Sequence, residues 1–124
     1  MIYGIGTDIV ELERIEKVGI QRLAKRILTV DERVRMEQKE KQQKEYVASR
    51  FAAKEAVSKA LGVGIGKMVG FQDIQIDRNE RGAPIVHLRK EVKERFFGEK
   101  EVVIHLSLSH CRDYAVAMVV IEEI

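Results

Sequence analysis

Cysteine is almost missing. Cys111 is the only one in 124 residues, and a lone thiol closes no internal disulfide and builds no cysteine metal cluster within one chain. A secreted disulfide scaffold is excluded. The N-terminal stretch Met1-Ile2-Tyr3-Gly4-Ile5-Gly6 has no basic leader, and no apolar run is long enough for a membrane helix. These absences point to a cytoplasmic protein with no membrane partner. There is no internal repeat, no low-complexity segment and no linker, so residues 1–124 read as a single domain of ordinary size. Charge of one sign is not in excess either: 22 Lys+Arg face 20 Asp+Glu for a net charge of +2, and global charge selects no partner. No Ser/His/Asp or Cys/His arrangement stands out. The glycine-rich run 62–66 lacks the Gly-Lys-Ser/Thr ending of a P-loop and follows a helical pattern instead of preceding one.

What is present is a normal globular share of hydrophobic residues, 45%, arranged in two alternating periods. Residues 2–10 are rich in Ile, Tyr, Thr and Val and read as a strand whose glycines, Gly4 and Gly6, allow close backbone approach. Residues 11–17 and 21–28 read as short helices. Thr29 with Glu32 three positions on is a capping box, starting a charged helix toward Lys41. Tyr46, Ala53, Val57, Ala60 and Leu61 fall on one face at helical spacing, and Gly62 ends that helix. Its other face carries Arg50, Lys54, Glu55, Ser58 and Lys59. Strands follow at 71–77 and 84–88, with a turn at 79–82, then a helix at 90–97 placing Val92 and Phe96 inward. Two β-rich runs, 101–108 and 113–121, form a hairpin. In the last run both alternating sets are apolar, which implies cover on both faces, by a helix or by another subunit. The fold class is α+β, a mainly antiparallel sheet packed against a long helix.

Asp8 lies near the end of the first strand, and Glu55 and Lys59 share a helix face four residues apart. Phe51 on the same arc argues that this face is covered by a ligand or a subunit. Asp8 and Glu55 together form an oxygen-only donor pair, suited to Mg²⁺ with water and phosphate completing the shell. Arg50, Lys54 and Lys59 nearby supply positive charge for phosphates, and the glycines from Gly62 to Gly66 let backbone amides approach them. This combination is that of phosphoryl transfer. From residue 21 to 44 there are eight Lys/Arg against four Asp/Glu and no aromatic. That stretch suits an anionic partner or simply a solvated helix face. His110 falls in the hairpin turn, and His87 and His105 read as packing residues within strands.

Gly4-Ile5-Gly6-Thr7-Asp8-Ile9-Val10-Glu11 and Arg50-Phe51-Ala52-Ala53-Lys54-Glu55-Ala56 closely resemble the two motifs of the 4'-phosphopantetheinyl transferases. Leu106-Ser107-Leu108-Ser109-His110, Gly64-Ile65-Gly66 and Phe71-Gln72-Asp73-Ile74 extend the likeness over nearly the whole chain, and the length fits the family's small bacterial subgroup. The resemblance implies that fold, and transfer of 4'-phosphopantetheine from coenzyme A to a serine hydroxyl of apo-acyl carrier protein, releasing adenosine 3',5'-bisphosphate, in the service of fatty acid biosynthesis. It implies that Asp8 and Glu55 bind Mg²⁺ with the pyrophosphate, and that Glu55 helps remove the serine proton, directly or through metal-bound water. Lys59 would sit against the phosphates and protonate the leaving group. Arg50, the loop ending at Gly66, and His110 would hold coenzyme A. Arg14 and the segment from Arg22 to Arg26 would face the acidic carrier protein. The subgroup resembles a homotrimer with sites between subunits, in agreement with the doubly apolar last strand.

Two departures stand out. Arg81-Gly82-Ala83-Pro84 occupies the loop near the nucleotide where the family often has Asn-Gly-x-Pro, and Arg81 can stack on adenine or pair with a phosphate. Cys111 follows His110 where Thr or Ser is common. Two rival readings compete. A nucleic-acid-binding module lacks a recognition helix or an aromatic stacking row, so no nucleic-acid partner is expected. Another Mg²⁺-dependent phosphoester enzyme, such as a nuclease, is not excluded by two carboxylates and a lysine alone.

Overall fold

A computed structural model describes residues 1–124. The elements are β1 (Ile2–Glu11), α1 (Leu12–Val18), α2 (Ile20–Ile27), α3 (Val30–Glu37), α4 (Gln43–Ala60), a 3-10 turn (Phe71–Asp73), β2 (Ile74–Arg78), β3 (Pro84–Leu88), α5 (Lys90–Phe97), β4 (Val102–His110) and β5 (Tyr114–Glu123). All strand pairs are antiparallel. They form a three-stranded sheet in the order β1-β5-β4 and a separate β2-β3 hairpin. The α+β expectation holds, with the sheet divided in two.

The core is the contact between α4 and the three-stranded sheet. Small residues make it possible. Ala52, Ala53, Ala56 and Ala60 of α4 are buried, as are Ala115, Ala117, Val119 and Ile121 on the facing side of β5. β1 comes closer still. A Cβ added at Gly4 would lie 2.1 Å from the Ala60 carbonyl oxygen, and one at Gly6 would lie 2.0 Å from that of Ala56. Only glycine lets the strand lie on the helix backbone.

Local signals explain most boundaries. The Thr29–Glu32 capping box forms in both directions. α3 stops at Glu37, short of the expected Lys41, because the Gln43 side-chain amide donates to the carbonyls of Met36 and Lys39 and closes the helix end. In α5 the deeply buried aromatic is Phe97, edge-on to Tyr3 at 5.0 Å; Phe96 is only half-buried. His87 and His105 are not packing residues. Both are exposed, beside Asp77 and Glu122 respectively.

The expectation of cover on both faces of β5 meets a clear outcome within one chain. α4 covers the inner face, and no helix covers the outer one. Register pairs Ile5 with Val120, Thr7 with Met118 and Ile9 with Val116 across that outer face. Ile5 is 66% exposed, Ile9 62% and Met118 55%.

The β1–α4 contact makes a direct prediction. Gly6→Ala should cost about 3 kcal/mol or more through overpacking, measured by urea unfolding. Gly66→Ala, where an added Cβ meets nothing within 4 Å, should change stability by less than about 0.5 kcal/mol. Equal effects would contradict the close-approach account.

Candidate active site

Inner-face positions of β1 alternate Gly4, Gly6, Asp8, so the strand that lies on α4 presents Asp8 to that helix. Lys59 Nζ donates to Asp8 Oδ1 and to the Thr7 carbonyl, each at 3.1 Å. Lys59 remains half-exposed, while Asp8 is largely enclosed. Glu55, one helical turn before Lys59, is half-buried. Its carboxyl is pushed above the usual carboxylate range by burial and then by the Asp8 charge, with Lys59 pulling the other way. Glu55 and Lys59 share a face as their spacing suggested, and Asp8 lies beside Lys59.

The two carboxylates repel, and one half-exposed ammonium is their neighbouring cation. A hard divalent cation fits this donor pair. No third His, Cys, Asp or Glu joins the pair.

Glu55 also lines an apolar hollow of about 310 Å³. Leu23 of α2, Phe51 of α4, Ile65 and Phe71 form its walls, and Arg14 and Arg26 stand at its edge. Phe51 and Phe71 pack at 5.6 Å between ring centroids. Arg22 is exposed on α2 but does not line this hollow.

A second, polar cleft of about 300 Å³ opens at the N-terminal half of α4. It brings together Arg50, Gly82, Pro84 and His110, four residues singled out in the sequence. Tyr46 and Leu108 line it as well, with Lys39, Gln42, Glu45, Ser49 and Arg78, which the sequence did not single out as site residues. A wider recess on the other side of Tyr46 and Arg50 adds Arg35 and His87. Arg50 is 2% exposed and has no carboxylate partner; its guanidinium lies over the Tyr46 ring at 4.1 Å, and its Nε and the Tyr46 hydroxyl have no hydrogen-bond partner. Burial lowers the Arg50 pKa, only partly countered by Tyr46, and Arg78 lowers it further. Glu32 compensates the guanidinium charge only in part and without an ion pair, and a buried cation so placed suits an anionic ligand. This cleft and the Glu55 hollow share no lining residue.

Three expectations are corrected. Lys54 does not face the site. It is fully buried, with Nζ 2.6 Å from Glu32 Oε1, 2.7 Å from the Ile27 carbonyl and 3.1 Å from that of Phe71. Burial lowers its pKa and Glu32 opposes that shift. An ammonium whose donors are all engaged is not available to phosphates. The glycine loop does not offer free amides from Gly62 or Gly66: the N–H groups of Gly62, Val63, Gly64 and Gly66 all donate to backbone carbonyls. Arg81 sits at the exposed tip of the β2–β3 turn, where its amide and that of Ala83 donate to Asn79 Oδ1, and its side chain lies outside the cleft wall.

Comparison with known proteins follows this geometry. Residues 4–119 match the model of the 4'-phosphopantetheinyl transferase superfamily. The chain is 51% identical over 125 residues to a holo-[acyl-carrier-protein] synthase of Bacillus cereus, covering 98% of this chain and 97% of that one. It is 48% identical over 127 residues to the synthase of a Geobacillus species, covering 100% and 99%. Its structure resembles the holo-(acyl-carrier-protein) synthase of Bacillus anthracis in complex with CoA (3',5'-ADP), with a TM-score of 0.84, 47% identity and coverage of 99% and 97%. It also resembles the Helicobacter pylori synthase in complex with coenzyme A, with a TM-score of 0.81, 39% identity and coverage of 95% and 99%.

The two lysines of α4 should behave oppositely. Lys54→Ala strands the buried Glu32 charge and should cost about 3–5 kcal/mol. Lys59→Ala removes a half-exposed contact and should cost less than about 1 kcal/mol. Urea unfolding of both variants checks this, and similar losses would contradict the assignment of Lys54 to the interior.

Proposed function

The chain belongs to the 4'-phosphopantetheinyl transferase superfamily, and from that premise we propose that it acts as a holo-[acyl-carrier-protein] synthase. It transfers 4'-phosphopantetheine from coenzyme A to a serine of apo-acyl carrier protein and releases adenosine 3',5'-bisphosphate. The observation that carries this reading is the Asp8–Glu55–Lys59 cluster beside an apolar hollow edged with arginines.

Asp8 and Glu55 would hold Mg²⁺, and the ion would supply charge neutralisation for the pyrophosphate. Glu55 lines the hollow and helps remove the proton of the incoming serine, directly or through a water molecule. The serine oxygen bonds to the phosphorus attached to pantetheine, and the bond from that phosphorus to the bridging oxygen breaks. Lys59, half-exposed and held only by Asp8 and a carbonyl, reaches the departing phosphate and offsets its charge or supplies its proton. Arg50, with Lys39, Arg78, Gly82, Pro84 and His110, receives the nucleotide end of coenzyme A. The carrier protein docks at the hollow, with Arg14 and Arg26 at its rim and Arg22 extending the basic surface along α2.

The assembly is a homotrimer working in the cytoplasm, on carrier proteins of fatty acid biosynthesis, with the whole chain 1–124 as one domain. Two features support the trimer: the open apolar face of β1 and β5, and the separation within one chain of the Arg50 cleft from the Glu55 hollow. A neighbour's cleft then completes each site. No helix is long and apolar enough to cross a membrane.

With Mg²⁺, coenzyme A and apo-acyl carrier protein, the carrier should gain the mass of one phosphopantetheine group, and chelation of the metal should stop the gain. Asp8→Asn and Glu55→Gln should each lower kcat by about 10²-fold or more with unchanged melting temperature. No mass gain, or a fully active Glu55→Gln variant, would rule the reading out.

A further inference from the structure

Lys54 and Glu32 take no part in the chemistry above, yet theirs is the one ion pair with both side chains fully enclosed. Such a pair is seldom the most stable filling of a core, because desolvation offsets the attraction. Its value lies in what it ties together. Glu32 Oε1 accepts the Thr29 amide and Oε2 accepts the Ile76 amide, at 2.8 and 2.7 Å. Lys54 holds the Ile27 carbonyl, at the end of α2 where helical carbonyls lack internal partners, and the Phe71 carbonyl of the 3-10 turn. Five segments thus converge on one charge pair: α2, α3, α4, the 3-10 turn and β2.

Three of those segments are the walls of the hollow. Lys54 precedes Glu55 in the chain. Ile27 follows Arg26, and Phe71 packs on Phe51. Glu55, Arg26, Leu23, Phe51 and Phe71 all line the same cavity. The spacing between α2 and Phe71, measured from the Glu55 carboxylate, is therefore fixed from behind by the Lys54 ammonium.

We propose that Lys54 and Glu32 are positioning residues for the acceptor: their buried ion pair sets the width of the hollow and so the placement of the carrier serine against Glu55. This rests on the reading that the carrier docks at the hollow. The nucleotide cleft has neither of Lys54's tethered carbonyls in its wall, although Glu32 also holds β2, whose Arg78 lines that cleft, so the effect falls more heavily on the carrier than on coenzyme A.

The test compares Lys54→Met with the double variant Lys54→Met/Glu32→Gln. The single variant leaves a buried charge unpaired and should melt well below the parent. The double variant removes both charges and should regain most of the lost melting temperature. Its KM for apo-acyl carrier protein should nevertheless stay raised about ten-fold or more and its kcat lowered, since displacements of about 1 Å at a reacting group cost up to about 10²-fold. Its KM for coenzyme A should rise by a clearly smaller factor than its KM for the carrier, and equal rises overturn the proposal. If stability and carrier KM recover together, the pair is merely structural and the proposal fails.

Hydrogen exchange gives a readout independent of turnover. Amides of residues 26–29 and 70–76 should exchange faster in the double variant than in the parent, and unchanged exchange overturns the proposal. A parent enzyme without transfer activity would instead overturn the functional reading, with exchange still judging the pair. If the double variant fails to melt cooperatively, Glu32→Asp, which shortens the carboxylate while keeping its charge, takes its place under the same criteria.

Discussion

Everything in this molecule follows from how closely β1 lies on α4. Two glycines, Gly4 and Gly6, sit where any Cβ would strike a helix carbonyl. With no side chain to separate them, strand and helix backbones meet, and the next inner-face residue of the strand is Asp8. It arrives beside Glu55 and Lys59 because the preceding alternate positions carry nothing. Burial first, and then the neighbouring Asp8 charge, raise the pKa of Glu55 in this partly enclosed place, with Lys59 opposing them. Lys59 answers part of that charge through Asp8, and on the proposed reading a divalent cation would answer the rest during phosphoryl transfer.

α4 distributes three kinds of cation along one helix. Lys59 stays half-exposed beside the carboxylates. Arg50 is buried without a paired anion, stacked on Tyr46, and waits for one from outside. Lys54 is buried with its own anion, Glu32, and is closed to ligands. Burial and pairing, more than residue type, separate the chemical role, the binding role and the scaffolding role.

Much of this was legible in the sequence. Alternation and helical spacing located the elements because the chain's local and tertiary preferences agree: the Thr29–Glu32 capping box, the Asn79 turn and the alanine face of α4 all act where they stand. The meeting of Asp8 with Glu55 and Lys59 followed from motif resemblance and from glycines implying close approach. The failures share one cause. Helical spacing tells which residues share an arc but not how deep the arc is buried, so Lys54 looked like a phosphate ligand. Its partner, Glu32, was visible only as a cap. Composition likewise suggested free amides in the glycine loop, but turn hydrogen bonds consume them. Arg78 and Lys39 come to the Arg50 cleft from two other segments, a convergence no local pattern reports.

The outer face of the sheet gives the remaining link between fold and function. Its apolar row, Ile5, Ile9 and Met118, has no cover within the chain, while the cleft at Arg50 and the hollow at Glu55 are separate. Both features are answered if neighbouring subunits pack at that face and each site draws its nucleotide cleft from one chain and its carboxylates from another. The decisive measurement mixes two inactive variants, Arg50→Ala and Glu55→Gln, after dissociation and reassembly together. Sites built across subunits should regain activity in roughly one quarter of positions, those pairing an intact Arg50 with an intact Glu55 from different chains. A mixture as inactive as either variant alone would contradict the shared site.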